Sequence, residues 1–167
     1  MFAEVLTIGD ELLTGNTVDS NSAFIAKKLT ERGGYWVRRK TTVGDDVGGE
    51  IEGVIREILE RKPEVLVISG GLGPTHDDVT MLAVAEALGR KLVLCEPCLE
   101  RLREFYRELH ERGGMIDDPN LNEARKKMAY LPEGAEPLEN TEGGPHPALT
   151  SSTAVLRYSC SLECPAR

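Results

Sequence analysis

With 167 residues, 40% of them hydrophobic and 29% charged, the chain has the size and composition of one globular domain with a single sizeable core. A formal net charge of -8 excludes broad electrostatic attraction to nucleic acid or an anionic membrane, which needs a clustered basic face. The runs Arg38-Arg39-Lys40 and Arg125-Lys126-Lys127 read as solvated faces.

No apolar stretch reaches the length of a bilayer span, and Met1-Phe2-Ala3-Glu4 opens without the basic region and long apolar core of a secretory signal. A cytoplasmic protein with no membrane and no nucleic-acid partner is therefore expected. Gln is absent and Glu, Lys and Arg are abundant, a composition of heat-adapted proteins.

Residues 2–9, FAEVLTIG, are an apolar run ending in Gly, and helical spacing begins after the N-cap-rich group Asp19-Ser20-Asn21. That helix carries Phe24, Ile25, Lys28 and Leu29 and stops at Arg32-Gly33-Gly34. Residues 35–43, β-branched and aromatic, predict a second strand. From 50 to 62, Ile51, Val54, Ile55, Ile58 and Leu59 mark the cleanest amphipathic helix of the chain, closed by Pro63.

The continuous apolar run Val65-Leu66-Val67-Ile68 fits a central strand covered on both faces. Met81, Leu82, Ala85 and Leu88 continue as a helix, Lys91 to Cys95 as a short strand, and Leu99, Leu102, Phe105, Tyr106 and Leu109 as another helix. A last helix near Asn122 to Lys127 and a strand near Met128 to Leu131 complete the series. The repeated Glu-Arg-Gly-Gly at 31–34 and 111–114 is ordinary helix termination. Alternating strands and helices predict an α/β fold: a three-layer α/β/α sandwich around a mostly parallel sheet.

Composition changes after Glu142. The last 25 residues hold few charges but a large share of the serines and two of the 4 cysteines. The sequence thus divides into a domain at 1–142 and an atypical tail at 143–167, expected to be disordered or loosely packed. Cys95-x-x-Cys98 and Cys160-x-x-x-Cys164 would make a zinc site only if both pairs converged; separate thiols, or a disulfide in a heat-adapted source, are the plainer reading.

In open α/β sheets ligands bind beyond the carboxyl ends of the strands. Three loops stand there: Gly9-Asp10-Glu11 with Thr14-Gly15-Asn16, Gly44-Asp45-Asp46, and Gly70-Gly71-Leu72-Gly73-Pro74-Thr75-His76-Asp77-Asp78. Glycines 70, 71 and 73 would let backbone N–H groups approach a phosphate, with a helix starting near Asp78 presenting its positive end to the same anion. Two carboxylates beside a phosphate require a divalent cation, so Asp77 and Asp78, with Asp45 or Asp10, are candidates for holding Mg²⁺ or positioning a nucleophile.

Capping alone would explain one of the two aspartates, but not three glycines and His76 as well. His76 is a candidate phosphate donor or acid. No Lys-Ser or Lys-Thr follows the glycines, so the loop is not a P-loop, and it lacks the dinucleotide-binding spacing.

Three stretches in order, TIGDELLTGNTVDSNSAFIAKKL at 7–29, TTVGDD at 41–46 and SGGLGPTHDDVT at 69–80, resemble the molybdopterin-binding domain of MogA and MoaB proteins, in the version that opens the CinA (competence/damage-inducible) proteins. The resemblance covers about residues 3 to 142 and implies a homo-oligomer, dimer or trimer. In the cofactor branch the matching GGTG loop holds the molybdopterin phosphate, and acidic residues assist Mg²⁺-ATP-dependent adenylylation. By motif position Gly70, Gly71 and Gly73 match that loop, with Leu72 replacing its Thr.

Asp78 matches the acidic residue after the loop, Thr80 the threonine beyond it, and Asp45 the acidic residue after the second strand. The CinA branch implies metal-dependent hydrolysis of the pyrophosphate in ADP-ribose, with an NMN deamidase in a separate domain for which this chain has no room. A Leu-Pro-Gly-x-Pro segment that the family carries late in the domain is replaced here by the tail.

The resulting site has Asp45 and Asp78 as catalytic residues, and Asp77 with Asp78 as metal ligands. Gly9, Asp10, Glu11, Gly70, Gly71, Gly73, Thr75, His76 and Thr80 contact a small phosphate-bearing pterin or nucleotide. A non-catalytic ligand-binding oligomer is the alternative.

Overall fold

A computed structural model describes residues 1–45, 48–113 and 118–137 and, as backbone alone, 153–157. Strand β1 (Phe2–Ile8) runs into a one-turn helix, α1 (Asp10–Leu13), where the sequence reads as loop. Helix α2 (Ser20–Glu31) follows, capped by Asp19, whose side chain accepts from the Ser22 amide. Then come β2 (Trp36–Val43), α3 (Glu50–Glu60) and β3 (Val65–Ser69).

Alternate residues of a pleated strand face opposite sides, and here both sides are covered. Leu6 and Ile8 of β1 and Leu66 and Ile68 of β3 pack with Ile51, Ile55 and Ile58 of α3 and with Ala83 and Val84 of α4 (Thr80–Ala87). Ala3, Val65 and Val67 face the other way, against Ile25 and Leu29 of α2. The expected three layers are thus α2, sheet, and α3 with α4. Phe24 lies outside this packing: it is exposed, with the Lys28 ammonium 5.2 Å from its ring centre.

The sheet order is β2-β1-β3-β6, with β2, β1 and β3 parallel and β6 (Thr153–Arg157) antiparallel to β3. Residues 153–157 of the segment 143–167, expected to be loosely packed, are thus an edge strand of the sheet, and the rest of that segment lies outside the described residues. The chain leaves β1 for a neighbour on one side and returns through α3 to a neighbour on the other. Strand order therefore reverses between β1 and β3, the position where open parallel sheets form a ligand crevice.

Regular alternation does not build a single sheet. Strand β4 (Leu92–Leu94) pairs instead with β5 (Tyr130–Pro132) in a separate antiparallel ribbon. Helix α5 (Glu96–Glu111) packs Leu99, Leu102 and Tyr106 against Met128, Ala129 and Leu131. The strand expected at 128–131 starts two residues later, because α6 (Glu123–Lys126) continues into a 3₁₀ turn over Lys127–Ala129. Among the described residues no helix is long and apolar enough to cross a membrane.

Candidate functional site

The three acidic and glycine-rich loops meet at the carboxyl edge of β2, β1 and β3, and they are tied together. The Asp10 amide donates to Asp45 Oδ2 at 3.1 Å, and the Asp45 amide donates to Asp10 Oδ1 at 3.0 Å. This reciprocal clasp sets two carboxylates side by side. Burial pushes the Asp45 carboxyl above its ordinary range, and the charges of Asp10, Glu11 and Asp77 push the same way, against the Asp10 amide bond. Asp46 lies outside the described residues.

Close approach explains the glycines. Gly70 has φ 111°, and a Cβ there would stand 2.0 Å from the Ile8 carbonyl oxygen, so the third loop can cross the end of β1 only with glycine at this position. At three other glycines a Cβ would strike a carboxylate: Gly9 is covered by Glu11 at 2.6 Å, Gly44 by Asp10 at 2.5 Å, and Gly73 by Asp78 at 2.7 Å. The glycines thus make room for the domain's own acids, a role the phosphate-cradle reading does not contain.

Neither Asp77 nor Asp78 caps the following helix. Helix α4 begins at Thr80 rather than near Asp78, and its N-cap, Val79, provides no side-chain bond. Asp78 Oδ2 turns back instead to accept from the Thr75 amide at 2.9 Å and from the Thr75 hydroxyl. Thr80 is fully buried; its hydroxyl donates to the Gly70 carbonyl at 2.9 Å and its amide to Gly71. It shapes the glycine loop from beneath, with its side chain out of contact with solvent.

Asp77 and His76 are exposed at the loop's outer bend. Hydrogen bonding from the Thr75 side chain and then from Asp77's own backbone, with smaller help from the charges of Lys127 and His76, holds the Asp77 carboxyl below its ordinary range. Among the described residues no group of three His, Cys, Asp or Glu side chains converges to hold a metal.

Beside the loop lies a cavity of about 540 Å³. Gly71, Leu72, Gly73 and Pro74 form one wall, and Met81, Leu82, Leu92 and Met128 the other, with His76, Asp78 and Lys127 as its polar groups. Among the described acidic residues Asp78 alone lines it, so the loop stands between an apolar chamber and the acidic rim. Such a chamber is within the size range of small-molecule sites.

The sequence reading did not single out several residues here. Lys127, taken as part of a solvated run, lines the cavity and donates from Nζ to the Thr75 carbonyl. Arg125 of the same run stacks 4.3 Å from the Tyr106 ring centre. Their helical neighbourhood hides both contacts, which join residues far apart in sequence. On the α2 side, Thr7 donates to Asp19 Oδ2 at 3.0 Å, and Asn21 donates to Ser69 Oγ at 3.4 Å. Burial opposes the Asp19 carboxylate, but its bonds to Ser22 and Thr7 and the charge of Lys40 together hold its carboxyl below the ordinary range. A hydroxyl ending an apolar strand, at Ser69, was the one available signal.

The family model of a probable molybdopterin binding domain matches residues 4–159. The chain belongs to this family. Two relatives of the domain are a protein of Thermococcus kodakarensis, 82% identical over 143 residues, and one of Pyrococcus horikoshii, 76% identical over 143 residues. These matches cover 86% of the chain but 56% and 55% of the relatives, so the chain spans about half the length of either.

A crystal structure of a protein CinA of unknown function from Thermoplasma acidophilum superposes on the domain with a TM-score of 0.74 and 35% identity. The match covers 94% of this chain and 82% of that one. The CinA-type form of the molybdopterin-binding domain, with its largely parallel α/β sheet, is thereby established for this chain.

Proposed function

We propose that this domain binds a phosphate-bearing nucleotide or pterin across the Gly70–Asp78 loop and hydrolyses a nucleotide pyrophosphate of the ADP-ribose type. The observation that carries the reading is the juxtaposition at the β1/β3 strand reversal. Acidic side chains crowd one side of a loop whose other side walls an apolar cavity of about 540 Å³. The cavity fits the flat base, and the acidic rim fits a pyrophosphate only with a cation between them.

Mg²⁺ or another divalent cation is compatible with the donor set. Burial raises the Asp45 carboxyl and the neighbouring carboxylates of Asp10, Glu11 and Asp77 add to it, a repulsion that a cation would relieve, and Mg²⁺ commonly uses one or two protein carboxylates with waters and substrate oxygens completing its shell. Asp77 and Asp78 would hold it, and when bound it would neutralise charge on the pyrophosphate. Asp45, with its raised carboxyl and its fixed bond to Asp10, orients the attacking water and accepts its proton. Gly70, Gly71 and Gly73 set the loop's path, while Thr75 and His76 supply donors at the phosphate. Gly9, Asp10 and Glu11 complete the acidic rim.

The relatives from Thermococcus and Pyrococcus and the Gln-free composition support a heat-adapted source. Homo-oligomerisation belongs to the same reading, with the exposed apolar side chains Leu13, Val18 and Trp36 as candidate contacts.

The test is titration calorimetry with ADP-ribose, ATP and molybdopterin, each with and without Mg²⁺, joined to an assay for AMP. AMP release from ADP-ribose that needs the metal and is lost in Asp78→Asn and Asp45→Asn is the expected result. Tight molybdopterin binding without AMP release would favour the cofactor-synthesis branch, and binding without turnover a ligand-binding module.

A further inference from the structure

The Cys95-x-x-Cys98 pair takes no part in the proposed reaction, yet it is built into the structure. Cys95 occupies the N-cap position of α5, directly after β4, and Cys98 lies in the first turn of that helix. Their sulfurs are 2.6 Å apart, and both are free thiols. The two sites differ in access: Cys95 is half-buried, whereas Cys98 is 2% exposed within the cluster of Leu99, Leu102, Met128 and Leu131. Burial pushes the Cys98 thiol up to about 12, and Cys95 adds to the effect.

We propose that Cys95 and Cys98 are an oxidisable dithiol, closed to an intramolecular disulfide by a small-molecule disulfide, with Cys95 as the entry thiol and Cys98 as the resolving one. Cys95 loses its proton and attacks one sulfur of the external disulfide; one thiolate leaves and is protonated. Cys98 then attacks Cys95 Sγ, breaking the mixed disulfide, and its proton leaves with the second thiolate. Two protein thiols are oxidised and one external disulfide is reduced to two thiols.

The bond closes a loop where three pieces of the domain meet. The Cys95 amide already donates to the Ala129 carbonyl at 2.9 Å, and Met128 next to it lines the cavity. Closure therefore fixes the first turn of α5 against the β4–β5 ribbon and steadies the cavity's far wall.

The experiment exposes the full chain to oxidised glutathione, alkylates the remaining thiols, and digests without reduction using trypsin. Cleavage after Lys91 and Arg101 isolates a 92–101 peptide containing both cysteines and no others. The expected product is that peptide two hydrogens lighter than the dithiol, restored by dithiothreitol, from a protein with a higher Tm than the reduced form. Cys98→Ala, with Cys98→Ser as a second variant closer in size, should retain one glutathione on Cys95. Cys95→Ala should leave Cys98 without an adduct. Alkylation of both cysteines in the oxidised wild type, glutathione on Cys98 in Cys95→Ala, or no rise in Tm on closure would overturn the proposal.

Discussion

The two ends of β1 treat carboxylates in opposite ways. Near its start, Glu4 is 2% exposed, and Arg61 answers it with Nε at 2.9 Å and Nη2 at 2.7 Å. Just beyond its end, Asp10, Glu11, Asp45 and Asp77 crowd together, and none of the ion pairs among the described residues includes any of them. A buried charge with a fixed guanidinium partner is a structural arrangement. A cluster of like charges, adding to burial in raising the Asp45 carboxyl, costs stability and is intelligible as a site for something that arrives from outside.

Removing the partner at the neutralised end should have the largest effect. Arg61→Met leaves the Glu4 carboxylate buried and uncompensated, which should cost about 3–5 kcal/mol, read as a large fall in Tm or denaturation midpoint. A small loss would mean that Glu4 reaches water and that the contrast between the two ends is weaker than the geometry says.

Next comes the contact joining the acidic end to the strand. Gly70→Ala forces a Cβ into the Ile8 carbonyl at a positive φ, so a loss of about 3 kcal/mol is expected, together with loss of ligand binding. Retention of both stability and binding would show that the loop can leave the end of β1 without consequence.

The smallest effect on stability, and the most telling, belongs to Asp45→Asn. The amide can still accept from Asp10, so the fold should persist, while metal-dependent activity should fall by about 10²-fold or more. The sign of the pH dependence follows from the raised carboxyl. Asp45 binds its proton more tightly folded than unfolded, so its contribution to stability is full at pH below the ordinary aspartate value and is lost as pH rises through the raised one.

At neutral pH the Asn variant should therefore have a Tm equal to or slightly above wild type, the advantage disappearing in acid. Added Mg²⁺ should raise the wild-type Tm more than the variant's. A variant less stable at neutral pH would make Asp45 a structural residue like Glu4.

Much of this was legible in residue patterns. Isoleucines 51, 55 and 58 fall on one face of α3 because their spacing matches the helical period, and Val65 to Ile68 read as a doubly covered strand because no polar residue interrupts them. The three loops were also visible as motifs in chain order. Their local roles were not.

Asp78, read as a catalytic and metal residue rather than a simple cap, also braces Thr75, and of the loop glycines Gly70 clears the Ile8 carbonyl, Gly71 the Thr80 hydroxyl and Gly73 the Asp78 carboxylate. Lys127, in a run resembling any solvated helix end, reaches the loop at Thr75 across 52 positions of sequence.

By itself, then, the sequence determined the strands and helices of the main run other than α1 and β6, the family, and the loops gathered at the strand ends, because periodicity and turn chemistry are local and survive without neighbours. Only the tertiary structure decided that strand order reverses between β1 and β3, that β4 and β5 leave the main sheet, and that Asp10 and Asp45 clasp each other. Those outcomes depend on contacts between residues far apart in the chain, where a missing Cβ or a carboxylate without a cation has meaning only against what packs beside it.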